Sequence, residues 1–203
     1  MADIAEIMQL APVIPVIVID DVDHAVPLAE ALVAGGLPVL EVTLRTPAAL
    51  ASIAAMKSVP GAVVGAGTVL NPTHFEAALA AGSEFIVSPG LTEPLAKAAI
   101  TWGTAFLPGT ANAGDIMRGL DMGLTHFKFF PATAAGGLPA LKSLASVFGD
   151  VRFCPTGGIT EETATEWLAL TQVLCVGGSW IAPRGPVDRE AVEAAAKRAA
   201  ALG

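Results

Sequence analysis

Eight short runs rich in β-branched and aromatic residues recur along the chain, and this rhythm limits its possible folds more than any other feature. They read VIPVIVI (13–19), LPVLEVTL (37–44), AVVGAGTV (62–69), EFIVSP (84–89), TAFLPG (104–109), HFKFFP (126–131), VRFCPTGG (151–158) and VLCVGG (173–178), with starts 20 to 25 residues apart. Between them lie Ala/Leu-rich stretches with helical spacing, such as HAVPLAEALVAGG, PAALASIAAMK, HFEAALAAG and EPLAKAAITWG. Strand-length runs alternating with helix-length stretches build βα units around a parallel sheet. Eight units predict a (β/α)8 TIM barrel; a doubly wound open sheet, which also alternates, is the competing arrangement. Thr46-Pro47, Asn71-Pro72 and Thr92-Glu93-Pro94 set a capping side chain before a proline at the start of a helix. Gly36, Gly82 and Gly103 follow apolar periods as helix C-caps do. Residues 3–10 predict an additional N-terminal helix able to plug the bottom of the barrel, and no linker divides residues 1–203, so a single domain is expected.

Composition narrows the surroundings of that fold. Hydrophobic residues make up 53% and charged residues 15%, against roughly 25% charged in globular domains. No apolar run reaches the about 18 residues needed to span a bilayer. The surplus apolar surface therefore belongs in a full core or a subunit interface, and an oligomer is expected. Nineteen acidic against 11 basic residues leave a net charge of −8, with no basic run of the kind that binds nucleic acid. An anionic ligand must then be held locally, by backbone amides, a helix N-terminus or one or two placed cations. MADIAEIMQL lacks the basic and apolar regions of a secretory signal, and two cysteines without a CxxC spacing form no disulfide framework. A reduced, cytoplasmic protein is expected.

A barrel of this kind carries its active site at the carboxyl ends of the strands. The sixth run holds an anomaly there, a lysine inside an apolar strand. Because strand side chains alternate between faces, His126, Lys128 and Phe130 share one face, and Phe127 and Phe129 share the other. With Phe127 and Phe129 packed under the helices, Lys128 points into the barrel. Desolvation lowers the pKa of an amine, and a neutral amine can attack a ketone to form a Schiff base. The plainer alternative is an ion pair with a buried carboxylate. The second run supplies that carboxylate: Glu41, Thr43 and Arg45 share a face, with Glu41 inside and Arg45 at the mouth. Glu41 could shuttle protons, and Arg45 could grip a substrate carboxylate in bidentate fashion.

CPTGGI ends the seventh run and CVGGSW the eighth, where barrels hold phosphate. Glycine lets the backbone approach an anion closely, and Thr156 and Ser179 add hydroxyls. His24, His74 and His126 are scattered without ligand spacing, which argues against a metal site; His126 opens its strand and reads as a core or bottom-layer residue. Cys154 and Cys175 read as buried free thiols on neighbouring strands. No GxGxxG follows the first run, which disfavours a dinucleotide.

PVLEVTLRT, VGAGTVLNP, SPGLTEPL, FKFFPA, VRFCPTGGI and VLCVGGSW stand in this order between residues 10 and 183. The chain thereby resembles the 2-keto-3-deoxy-6-phosphogluconate (KDPG) and 4-hydroxy-2-oxoglutarate (KHG) aldolases. The resemblance implies a class I, Schiff-base lyase on a (β/α)8 barrel, a homotrimer needing no metal or other cofactor. The reaction it implies is cleavage of a phosphorylated 2-keto acid to pyruvate and glyceraldehyde 3-phosphate. It assigns the Schiff base to Lys128, proton shuttling to Glu41, and the carboxylate to Arg45 with Thr68. Pro89 and Phe130 would line the pocket, and Gly157, Gly158 and Ser179 would hold the phosphate, with Thr156 and Gly178 flanking them. Two segments depart from the family pattern. PATAAGG has Thr133 where an acidic residue is expected, and PGTAN replaces a PGI-type segment. Both bear on specificity and loop ordering and leave the assigned residues untouched. A phosphosugar isomerase or epimerase on the same barrel, and a non-enzymatic assembly scaffold, are the competing functions.

Overall fold

The computed structural model describes residues 3–203. Its strands are β1 (Val13–Ile17), β2 (Val39–Thr43), β3 (Val63–Gly67), β4 (Phe85–Val87), β5 (Ala105–Leu107), β6 (Gly109–Thr110), β7 (His126–Phe129), β8 (Arg152–Pro155) and β9 (Val176–Gly178). The helices are α1 (Ile4–Met8), α2 (Ala25–Ala34), α3 (Ala49–Met56), α4 (Pro72–Ala80), α5 (Glu93–Trp102), α6 (Ala113–Asp121), α7 (Gly137–Val147), α8 (Ala164–Leu168) and α9 (Arg189–Ala200). All paired strands are parallel. One arc runs β5-β4-β3-β2-β1-β9 and a second runs β6-β7-β8. Neighbours follow chain order within each arc, and the first and last strands are paired. A doubly wound sheet would instead reverse its order at a switch point.

The expected single ladder of eight strands is not formed. The fifth run breaks at Pro108 into β5 and β6, because proline has no N–H to give to a ladder. Its carbonyl still accepts from the Lys128 amide at 2.9 Å. At the other end of the second arc, β8 meets the chain before and within β9 only through the isolated bridges Phe153–Val173 and Thr156–Gly177. The result is two parallel half-barrel arcs, with residues 105–110 running from one into the other.

Helix boundaries follow their sequence signals in part. The Asn71 side chain accepts from the His74 amide at 2.9 Å, ahead of Pro72 in the first turn of α4. Thr92 is the N-cap of α5 but makes no side-chain capping bond. Thr46 is no cap: α3 starts at Ala49, and the Thr46 hydroxyl instead donates to the Ile19 carbonyl, where it ties two loops together. Gly36, Gly82 and Gly103 all take positive φ after their helices, as C-terminal glycines do.

Outward strand residues, among them Leu40, Val42, Phe106, Phe127, Phe129 and Phe153, join the helices in the larger apolar core. A smaller core fills the space inside the strands near their starts. Ile4, Ile7 and Met8 of α1 pack there on Ile14, Val39, Phe85, Ala105, Cys154 and Cys175. The short first helix thus floors the interior, as its sequence suggests.

Candidate active site

On β2 and β7, side chains directed inward change character along the strand. On β2, Val39 joins the floor and Glu41, two residues on, does not; on β7, Lys128 follows the half-buried His126. Lys128 Nζ lies 3.0 Å from Glu41 Oε1 and 3.3 Å from Oε2. The two side chains are only 7% and 3% exposed. One carboxylate therefore both holds the amine in an ion pair and lies within proton-transfer reach of it. The ring of Phe130 covers the ammonium, with its centroid 5.4 Å from Nζ.

Gly67 makes room for the pair. A Cβ on Gly67 would fall 2.2 Å from Glu41 Oε1, so any larger residue would displace the carboxylate. Gly65, which is paired with Glu41 across the sheet, is filled in the same way by the ring of Phe85. These two inward glycines carry no assigned role in the motifs, and the signal that reveals them is glycine inside a strand, which marks close approach by a neighbour. Thr68 follows with φ of +59°, the one non-glycine at positive φ among the described residues. Its hydroxyl accepts from Arg45 Nε at 3.2 Å, which brings together the two residues assigned to a carboxylate.

A cavity of about 240 Å³ opens beside Phe130 and Arg45. Thr156, Gly157, Gly158, Gly177 and Ser179 also line it, with Val16 and Ile159 as apolar walls. Gly157 and Gly158 have φ of +108° and +77°, a left-handed pair that only glycine adopts readily. Backbone amides from Thr133 and Ala132 donate to the carbonyls of Gly157 and Thr156, at 3.0 and 2.8 Å, and zip the loop after β7 onto this turn. Thr133 itself fills the space a Gly158 Cβ would occupy.

Two assigned residues sit differently. Gly178 is buried, with the Trp180 ring against it, and Gly177 takes its place in the cavity wall. Pro89 does not line this cavity; its carbonyl closes on Gly109, the partner of Lys128 in the sheet, where a Cβ would meet it at 2.1 Å. Lys128, Glu41 and Thr68 also lie outside the cavity wall, so Phe130 and Arg45 are the links between the ion pair and the open space.

The remaining titratable groups have other duties. Cys154 and Cys175 are free and buried. A hydrogen bond with the Cys154 thiol and burial push the Cys175 thiol well up, so it stays protonated and unreactive. Burial pushes the His126 imidazole down, and the Thr125 hydroxyl lies 3.0 Å from its Nδ1. His126 belongs to the end of the strands opposite the cavity. No helix among the described residues is long and apolar enough to cross a membrane.

A profile described as KDPG and KHG aldolase matches residues 4–197. The 2-dehydro-3-deoxy-phosphogluconate aldolase of Zymomonas mobilis is 62% identical over 202 residues, covering 100% of this chain and 97% of the relative. The crystal structure of the Zymomonas mobilis ZM4 2-keto-3-deoxy-6-phosphogluconate aldolase with 3-phosphoglycerate superposes with a TM-score of 0.97 at 61% identity, over 99% of this chain and 96% of that one. The KDPG aldolase of Legionella pneumophila, solved with pyruvate captured as a covalent carbinolamine, gives a TM-score of 0.93 at 43% identity, over 98% of each chain. With a buried lysine–glutamate pair, an arginine at the mouth and a glycine-lined cavity beside them, the chain belongs to the KDPG and KHG aldolase family.

Proposed function

We propose that this chain cleaves 2-keto-3-deoxy-6-phosphogluconate to pyruvate and glyceraldehyde 3-phosphate through a Schiff base on Lys128. It also acts on 4-hydroxy-2-oxoglutarate, giving pyruvate and glyoxylate. The observation that carries the reading is the buried Lys128–Glu41 pair, 3.0 Å apart and roofed by Phe130.

In this mechanism Lys128 attacks the C2 ketone, and Glu41 moves protons so that water leaves and an iminium forms. Glu41, or a water it holds, then takes the proton of the C4 hydroxyl. The C3–C4 bond breaks, its electrons pass into the iminium to give an enamine, and the aldehyde departs. Protonation of the enamine at C3 and hydrolysis of the imine release pyruvate and restore the amine. Arg45 and Thr68 anchor the carboxylate end, with Pro89 and Phe130 beside the reacting carbons. Thr156, Gly157, Gly158 and Ser179 receive the phosphate, and Gly178 sets the turn that presents Ser179. Holding both ends sets the breaking bond beside Nζ, a positioning effect that contributes several kcal/mol, up to about 7–11 in favourable cases. Aimed amides and one arginine also answer the question of how a protein with net charge −8 takes up a dianion.

We further read the two arcs as the halves of one (β/α)8 barrel domain, a reading supported by residues 105–110, which run from one arc into the other, and by the bridges Phe153–Val173 and Thr156–Gly177. Ile100, Trp102, Met117 and Leu120 stay exposed on α5 and α6, which supports burial against other copies in a cytoplasmic homotrimer. A relative solved with 3-phosphoglycerate and another with pyruvate captured as a carbinolamine intermediate support the ligand chemistry. No cofactor is required by any step.

The test is reductive trapping. Incubation with pyruvate and borohydride, followed by peptide mass mapping, should place a reduced pyruvyl group on Lys128. The Lys128→Ala variant should take none and lose cleavage by at least about 10⁴-fold. A folded wild-type protein that forms no adduct would move the reading to an acid–base isomerase on the same scaffold.

A further inference from the structure

Around the mouth runs a set of contacts that extends beyond the residues the mechanism uses. Asp20 follows the end of β1 and Arg184 follows the end of β9. They form a two-pronged pair, Arg184 Nε to Asp20 Oδ2 at 3.1 Å and Nη2 to Oδ1 at 2.7 Å. On its other side the β1 loop is tied to β2 and its loop: the Thr43 hydroxyl donates to the Ile17 carbonyl at 2.9 Å, and the Thr46 hydroxyl donates to the Ile19 carbonyl. Arg45 stands between those threonines and donates to Thr68 in the loop after β3. A belt of side-chain bonds therefore joins four successive loops. Ser179 opens the β9 loop at one end of the belt and Arg45 sits toward the other, and both face the 240 Å³ cavity.

The β9 loop is fixed to the core by Ile181 and Ala182, both buried. Beyond them, the Asp20–Arg184 pair is the charged contact between this loop and the belt. Its side chains are 53% and 63% exposed, and so open a pair adds little to global stability. Its leverage is local, because it joins residues 164 apart in sequence and links the β9 loop, which brings Ser179 to the cavity, to the loop that follows Val16 of the cavity wall.

We propose that the Asp20–Arg184 pair is a positioning device that sets the spacing between the phosphate-binding loop at Ser179 and the carboxylate-binding Arg45. The inference rests on the aldolase reading for what binds at each end. It makes affinity for a two-ended anion depend on the pair, whereas each end alone is indifferent to it. A molecule held at both ends gains only when its length matches the span, and displacement by about 1 Å can cost up to about 100-fold.

Calorimetry on the full chain separates these cases with three probes: 6-phosphogluconate, whose carboxylate and phosphate stand at the two ends of a six-carbon chain, pyruvate, and inorganic phosphate. Asp20→Asn and Arg184→Gln should each weaken 6-phosphogluconate by about fivefold or more, with pyruvate and phosphate within twofold of wild type. The exchange variant Asp20→Arg/Arg184→Asp should recover most of the loss, and thermal melting should match wild type throughout. Unchanged 6-phosphogluconate binding in both single variants would overturn the proposal. So would an equal weakening of phosphate alone, and so would tighter binding in Asp20→Asn with weaker binding in Arg184→Gln, which would make Arg184 a direct anion ligand. The pyruvate adduct on Lys128 is scored separately, so a failure of the aldolase reading appears there and leaves the binding comparison intact.

Discussion

The inside of the strands holds two regions of opposite chemistry on the same set of strands. Near the strand starts, Ile14, Val39, Phe85, Cys154 and Cys175 close against α1 in an apolar floor. Two residues further along the same faces stand Val16, Glu41, Thr156 and Gly177, with Lys128 on β7 between them. Both regions are buried, so burial does not separate them. What separates them is how each position is satisfied. The floor fills its space with apolar side chains, whereas the upper region uses glycines to admit polar groups: Gly67 yields its space to the Glu41 carboxylate, Gly109 to the Pro89 carbonyl and Gly177 to the Thr156 side chain, and Gly157 and Gly177 border the cavity. A floor that excludes water lets the pair above it interact in a medium less polar than water, where charge placement counts for more.

If the floor serves stability and the upper region chemistry, damage to each should be read in a different observable. Phe85 is fully buried, belongs to the floor and occupies the space beside Gly65. Phe85→Ala should lower unfolding free energy by about 3–5 kcal/mol, measured by urea denaturation, while the folded fraction still takes the pyruvate adduct on Lys128. Loss of the adduct in folded Phe85→Ala protein would break the division. Gly67→Ala tests the other side. Its added methyl would lie 2.2 Å from the Glu41 carboxylate, and the smallest relief is a shift of that carboxylate away from Nζ. Turnover should fall about 100-fold and the stability loss should stay smaller than that of Phe85→Ala; turnover within twofold of wild type would show that Glu41 tolerates displacement.

The alternation of β-branched runs and Ala/Leu stretches revealed the parallel βα architecture, and face parity placed Glu41 and Lys128 inside, because a period of two leaves little choice once one face is aromatic. The parity argument also sent Phe127 and Phe129 outward, where they sit in the larger core. It could not foresee the break at Pro108. TAFLPG has the composition of one strand, and only the geometry of its neighbours determines whether a missing N–H interrupts the ladder. Nor does a motif disclose which glycine of a pair faces a cavity. CVGGSW offers Gly177 and Gly178 alike, and the choice depends on the Trp180 ring lying over Gly178. Thr46 failed as a cap for a similar reason. Its hydroxyl had a tertiary acceptor at Ile19, and α3 began three residues later without it.

The smallest expected effect concerns the histidine that opens β7. His126 opens β7 half-buried, and burial pushes its pKa below the ordinary 6.5, opposed by the charge of Asp3 and assisted by that of Arg152. A folded state that disfavours the proton binds fewer protons than the unfolded chain once pH drops below about 6.5, so stability falls as the solution is acidified through that value toward the lower folded pKa. Above 6.5 both states hold a neutral ring and the contribution is flat. His126→Asn removes the titration, so the difference in urea midpoint between variant and wild type should change between pH 7 and pH 5, with wild type losing more. Lys128 shares this strand face two residues away, yet pyruvate adduct formation should follow the same pH profile in both proteins. A profile that shifts with His126 would mean that the floor reaches the chemistry electrostatically, and the two regions would then be one.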